Sequence, residues 1–217
     1  MAKESIADRL VALLPSKPGA GLFNPWTQSD VLDLTSDAVA KRMTRLRRHF
    51  DVIPRLVLIG EAAGYQGCRY SGIAFTSERL LCAGSIPRMP REERFTSRQL
   101  PFSEPSATII WRTLAELGLA GSTLLWNALP LHPFPDGREL GNRTPLAGEL
   151  TIGLPCLEFL SRQFSGVPMI AVGLQAEKAM RQLGVEPAAT VRHPANGGAT
   201  KFATAMKSFA QRAGIGL

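Results

Sequence analysis

Four short apolar runs, each stopping at a glycine or a polar residue, set the tightest limit on how this chain can fold. They are Arg55-Leu56-Val57-Leu58-Ile59-Gly60, Ser122 to Trp126 entering Asn127, Pro168 to Val172 entering Gly173, and Ala188 to Arg192 entering His193. Their apolar residues are continuous rather than alternating, the pattern of strands buried on both faces. Segments with helical periodicity separate and follow them, at about 105–117, 148–164, 175–183 and 199–212. Strands alternating with helices predict an α/β fold, a three-layer α/β/α sandwich around a central, mostly four-stranded parallel sheet.

Residues 5–14 and 36–50 also have helical periodicity, the second opening at Ser36 with Asp37 near its positive end. Pro15 to Trp26 reads as a wrapping loop. A chain of 217 residues, 45% of them hydrophobic, can bury one sizeable core. The expectation is a single domain over 1–217, with a helical N-terminal wrap at 1–50 and a core at 55–212.

Several classes are disfavoured. No apolar run reaches the roughly 18 residues of a membrane span, and Met1-Ala2-Lys3-Glu4-Ser5, soon interrupted by Asp8 and Arg9, lacks a signal-peptide layout. The reading is a soluble, cytoplasmic protein. Cys68, Cys82 and Cys156 form no CxxC pair, so neither a zinc ribbon nor a four-cysteine cluster is expected, and no metal or other cofactor. The net charge of +7 favours polyanions, weakly on its own. Lys41, Arg42, Arg45, Arg47 and Arg48 read as a solvated helix face. Arg88, Arg91, Arg94 and Arg98, beside Pro87 and Pro90, read equally as a soluble loop or a DNA contact.

In open parallel sheets, ligands bind beyond the carboxyl ends of the strands. Glu61, Asn127, Gly173 and His193 each follow one of the four runs, so four strand ends would converge on one crevice. The glycine-rich stretch Gly60 to Glu78 lets backbone approach a ligand closely. It is neither GxxxxGK[ST] nor GxGxxG, which removes the main support for a nucleotide-binding domain, and the absence of GxSxG weakens an α/β-hydrolase reading.

At this point the chain resembles the uracil-DNA glycosylase superfamily. Gly60-Glu61-Ala62-Ala63-Gly64 is similar to its first motif, close to a Gly-Glu-Ala-Pro-Gly form, and Gly72-Ile73-Ala74-Phe75 to the segment carrying its base-stacking phenylalanine. Leu124-Leu125-Trp126-Asn127 resembles the strand whose asparagine reads uracil. Val191-Arg192-His193-Pro194 resembles the second motif, with its histidine and intercalating loop. Glu104-Pro105-Ser106 and Val172-Gly173-Leu174-Gln175-Ala176 are similar to two loops that grip the DNA backbone. Each match is short; their shared order is the specific feature.

The resemblance implies a monofunctional enzyme that flips uracil from single- or double-stranded DNA and hydrolyses its N-glycosidic bond, acting as a monomer. Phe75 would stack on the base, the Asn127 amide would pair with its edge, and His193 would stabilise charge on the departing O2. Without the resemblance, Phe75 reads as a core aromatic, Asn127 as a cap and His193 as a turn residue before proline. His132-Pro133 is a second such pair, and His132 is a pocket-lining candidate. Ala62 stands where many members carry an Asp or Asn that positions the water, so Glu61 and then Glu78 are the candidates for that task. Gly64 stands where some members exclude thymine with a tyrosine; Tyr65 adjoins it and could substitute. If it does not, a broader deaminated-base or mismatch specificity follows. The missing Asp/Asn also leaves room for a uracil-DNA binding protein with weak hydrolysis. Ser106, Gly173, Asn196, Gly197 and Lys201 are the candidate DNA contacts, with Arg143 either a DNA contact or a brace.

Overall fold

The computed structural model describes residues 4–216. Met1–Lys3 and Leu217 lie outside the described residues, and with them part of the signal-peptide argument. In chain order the elements are α1 (Ile6–Ala12), β1 (Leu22–Phe23), α2 (Ala38–Phe50), β2 (Leu56–Ala62), α3 (Cys68–Ser71), α4 (Glu78–Cys82) and α5 (Pro105–Glu116), then β3 (Thr123–Leu129), β4 (His132–Pro133), α6 (Ala147–Gln163), β5 (Met169–Val172), α7 (Leu174–Gln182), β6 (Ala189–Val191) and α8 (Ala199–Arg212).

Four of the strands form the expected parallel sheet, in the order β3-β2-β5-β6. The lack of alternation in the apolar runs has a direct cause. Side chains alternate between faces along a strand, and in β2, β3 and β5 both faces are covered; the edge strand β6 departs from the expectation, with Thr190 exposed. Leu56 and Leu58 pack in one core with Ala107, Ile110 and Leu114 of α5 and Phe202 and Met206 of α8. Val57 and Ile59 pack in the other with Leu46 of α2, Leu157 of α6 and Met180 of α7. β2 and β3 run past their predicted ends, to Ala62 and Leu129, whereas β5 ends at Val172 as predicted and β6 stops at Val191; Gly60 pairs with Asn127 and Ala62 with Leu129. Glu61 and Asn127 therefore sit within the last rungs of adjacent strands.

The N-terminal segment is fastened to the core by ion pairs that periodicity does not reveal. The α2 helix begins at Ala38, with Asp37 rather than Ser36 at its cap; the Asp37 carboxylate accepts from Thr35 Oγ1 at 2.6 Å and pairs with Lys41 at 3.0 Å. The basic run on α2 is not a uniformly solvated face. Arg42 and Arg45 are buried, Arg42 against Asp33 at 2.6 Å and Arg45 against Glu92 at 2.6 Å. Arg69 of α3 pairs with buried Asp30, also at 2.6 Å. In the second basic group, Arg88 donates to the carbonyls of Ala120 and Thr123 at 3.3 Å, exposed Arg91 to that of Cys82 at 3.0 Å, and Arg94 to Glu78. Arg98 covers the Phe102 ring at 4.3 Å. Arg42 and Arg45 thereby depart from the solvated-face reading, while Lys41, Arg47 and Arg48 are exposed; in the loop, Arg88 and Arg94 are half-buried and Arg91 and Arg98 are exposed. Among the described residues, no helix is long and apolar enough to cross a membrane.

Candidate active site

At the carboxyl edge of the sheet lies a cavity of about 590 Å³, lined by Glu61, Ala62, Gly64, Phe75, Ser106, Asn142, Arg143, His193 and Asn196, among others. Behind Phe75, and not themselves among the lining residues, Gly60 and Asn127 meet that ring where a side chain is missing. A Cβ on Gly60 would come within 2.3 Å of Phe75 Cζ and 2.5 Å of Asn127 Oδ1. Glycine at this rung leaves room for both an aromatic ring and a carboxamide. Phe75 holds a left-handed backbone (φ 51°), a conformation that costs free energy in a bulky residue and persists where the surroundings enforce it. The positive φ of Gly72 (76°), close against the Arg42 backbone, helps set that turn.

Asn127 is 3% exposed, and its Oδ1 is buried with no hydrogen-bond donor among the described residues. Proteins rarely leave such an acceptor empty, because desolvation goes uncompensated. His193 lies across the cavity, its ring centroid 5.9 Å from that of Phe75. Burial and neighbouring Arg192 push its pKa below the ordinary histidine value, so the ring is neutral near pH 7. Its Nδ1 accepts the Ala195 amide N–H at 3.2 Å. The remaining proton therefore sits on Nε2, which is left as a donor.

Two carboxylates serve different ends. Glu61 is half-buried on the cavity wall, burial pushes its pKa upward, and its side chain has no hydrogen-bond partner among the described residues. Glu78 is fully buried. It accepts from Arg94 Nε at 2.9 Å, Phe95 N at 2.9 Å and Thr96 N at 3.0 Å on one oxygen, and from Thr96 Oγ1 at 2.6 Å and Phe102 N at 3.0 Å on the other. Burial pushes its carboxyl up, but these bonds together hold it below the usual range. Glu78 does not line the cavity. It organises the 94–102 loop, which corrects the expectation of a catalytic part.

Tyr65 is a second correction. Its ring stands edge-on to Phe102 at 6.0 Å and tilted to His132 at 6.4 Å, outside the cavity. It does not fill the space at Gly64, where a Cβ would meet only the Asn142 side chain at 3.8 Å. His132 is also absent from the cavity wall. It is fully buried, with Nδ1 facing Arg69 Nη1 at 2.9 Å and Nε2 donating to the Gly141 carbonyl at 2.8 Å. It anchors the loop that carries Asn142. Arg143 pairs with Glu149 at 2.6 Å and donates to Phe134 O at 3.1 Å and Gly21 O at 3.2 Å. It braces the rim, and these bonds occupy the guanidinium assigned to DNA.

Of the remaining expected contacts, Ser106 and Asn196 line the cavity, and Gly173, Gly197 and Lys201 do not. Ser106, in the first turn of α5, donates to Glu104 Oε1 at 2.8 Å. Gly173 caps α7, its own amide donating to Val191 O at 2.8 Å, so this residue offers no free N–H. Asn196 (φ 52°) and Gly197 (φ 74°) form an exposed left-handed tip, and Lys201 is exposed on α8. Two cavity residues escaped the sequence reading as groups with a task. Asn142 accepts the Tyr65 amide N–H at 3.0 Å, fixing its carboxamide over the first-motif turn. The Glu104 carboxyl lies against Gly67, where a Cβ would fall 1.7 Å from Oε2, and burial raises its pKa against the opposing Ser106 bond. The Gly-Asn-Arg-Thr-Pro run marks a loop, but only its return onto Tyr65 reveals Asn142.

No curated protein matches the sequence. Among solved structures, the crystal structure of wild-type SMUG2 from Pedobacter heparinus shares the fold, with a TM-score of 0.63 at 15% identity, covering 96% of this chain and 100% of that one. The sequence itself matches the family model of the uracil DNA glycosylase superfamily over residues 48–213. That span takes in every strand of the parallel sheet and every wall of the cavity, and the chain belongs to the uracil DNA glycosylase superfamily.

Proposed function

We propose that this DNA glycosylase acts as a monomer on uracil in DNA, hydrolysing the N-glycosidic bond to leave an abasic site. The observation that carries the proposal is the empty acceptor of Asn127 beside the Phe75 ring. A pyrimidine stacked on Phe75 can present its N3–H to Oδ1, which recovers the buried acceptor's lost hydrogen bond. His193 Nε2–H then donates to O2, where negative charge grows as the bond to C1′ breaks. The sugar becomes oxocarbenium-like, and Glu61, the unpartnered carboxylate on the wall, opposes that positive charge and orients the attacking water. The water oxygen bonds to C1′, its proton passes to the carboxylate, and the base leaves as an anion held by His193. Ser106 and Asn196 on the cavity wall, with Gly197, Lys201 and amides of the α7 turn beside Gly173, would hold the DNA backbone.

A second reading has its own support. With Tyr65 turned away, only the Asn142 carboxamide comes near a Cβ placed on Gly64, at 3.8 Å, so no aromatic ring bars thymine or a deaminated purine there. Both readings are tested by excision from oligonucleotides carrying uracil, thymine, hypoxanthine or xanthine, single-stranded and opposite each base. Turnover confined to uracil supports the first reading; comparable turnover on other bases supports the second. A stable complex with uracil-DNA and no abasic product would replace both with a binding role.

A further inference from the structure

The segment after His193 ends in a tip with little to insert into DNA. Ala195-Asn196-Gly197-Gly198 carries no large apolar side chain, and Gly198 packs so closely that a Cβ would fall 2.0 Å from the His193 carbonyl. A nucleotide that leaves a duplex opens a gap in the stack, and enzymes that unstack bases commonly fill it with an apolar wedge such as Leu or Phe. The structure offers a candidate just past the neighbouring strand β5, where α7 begins. Leu174 is 69% exposed, an unusual state for a large aliphatic in the first turn of a helix packed on the core. Its predecessor Gly173 is hydrogen-bonded to Val191, two residues before His193, and a Cβ on Gly173 would lie 3.8 Å from His193 Cβ. Lys178, one turn along α7, and Arg192 and Lys201 are exposed, and none of the three pairs with a carboxylate among the described residues. An exposed apolar side chain with an unpaired cation one turn along the same helix fits a base stack beside a phosphate backbone.

We propose that Leu174 is the wedge that enters the base stack when the target nucleotide leaves it, taking the place that the short 195–198 tip cannot fill. This rests on the base-excision reading above but is separable from it. The test compares wild type, Leu174→Ala and Leu174→Phe in single-turnover excision of the same uracil from a single strand and from a duplex. A 2-aminopurine beside the uracil reports unstacking on binding, with no chemistry required. Leu174→Ala should lose about tenfold or more on duplex while single-strand excision stays near wild type, and Leu174→Phe should restore duplex activity. The 2-aminopurine signal should rise with wild type and not with Leu174→Ala. Equal rates for Leu174→Ala and wild type on duplex, or the same loss on both strand types, would overturn the wedge. If wild type excises neither substrate, the excision reading falls, and the 2-aminopurine signal still decides the wedge.

Discussion

Asn127 shows how a single atom can carry a functional argument. Its empty Oδ1 is a standing cost to the folded protein, about 1–3 kcal/mol for a buried polar group without a partner. Asn127→Ala removes that cost with the amide, so thermal stability should hold or rise slightly while excision falls about a hundredfold or more. A melting curve beside a single-turnover rate reads both; unchanged excision would remove Asn127 from the site. His193→Ala should show a comparable loss of rate, because the donor proposed for O2 disappears. The two glutamates should separate cleanly. Glu61→Gln should slow excision with little change in melting temperature. Glu78→Gln places NH2 donors against amides that already donate, so it should destabilise the fold by roughly 2–4 kcal/mol and leave the rate per folded molecule near wild type. A rate loss in Glu78→Gln without a stability loss would return it to the chemistry.

At the scale of elements, the sheet determines what the residues can do, since adjacent parallel strands deliver Gly60 and Asn127 to one rung and β6 brings His193 across from them. That much was legible in the chain, because strands buried on both faces must be apolar throughout and stop where the sheet meets solvent. The loops were harder to read. Arg42 and Arg45 look like surface residues until Asp33 and Glu92 close on them from 9 and 47 positions away. Asn142 gains its place by accepting a bond from Tyr65, 77 positions upstream. Tyr65 adjoins the right turn, but Phe102 and His132 decide which way its ring faces. Local sequence contains none of these partners. The open wall at Gly64 supports a test of specificity. Gly64→Tyr should cut thymine excision more than uracil excision, by a selectivity change of about ten- to a hundredfold, since the added ring occupies the space a C5 methyl needs. Competition between the two bases in one duplex measures it, and an unchanged ratio would show that the methyl points elsewhere.

For the molecule as a whole, the histidines tie stability to pH. His49 is buried, with Nε2 accepting the Leu125 amide N–H at 2.8 Å, and burial with nearby Arg88 pushes its pKa down to about 3. Burial and Arg69 push His132 down to about 4. In the unfolded chain both titrate near 6.5. A folded pKa below the unfolded one means that the unfolded chain takes up protons first as pH falls. The stability these neutral rings provide is therefore complete above about pH 6.5 and declines as pH drops toward 4 and then 3. At pH 5.5 each ring should cost about 1.4 kcal/mol, or roughly 3 kcal/mol together, with a smaller contribution from half-buried His193 in the same direction. Carboxylates held below their usual range, such as Glu78 and Glu149, add to the loss only at lower pH, where unfolded glutamates near 4.3 begin to protonate. Urea midpoints at pH 7.5, 6.5 and 5.5 should fall accordingly, and His132→Gln should shrink that fall by about half, because one of two depressed sites no longer titrates. Midpoints that stay level over this range would mean that the two rings already carry their protons in the folded state.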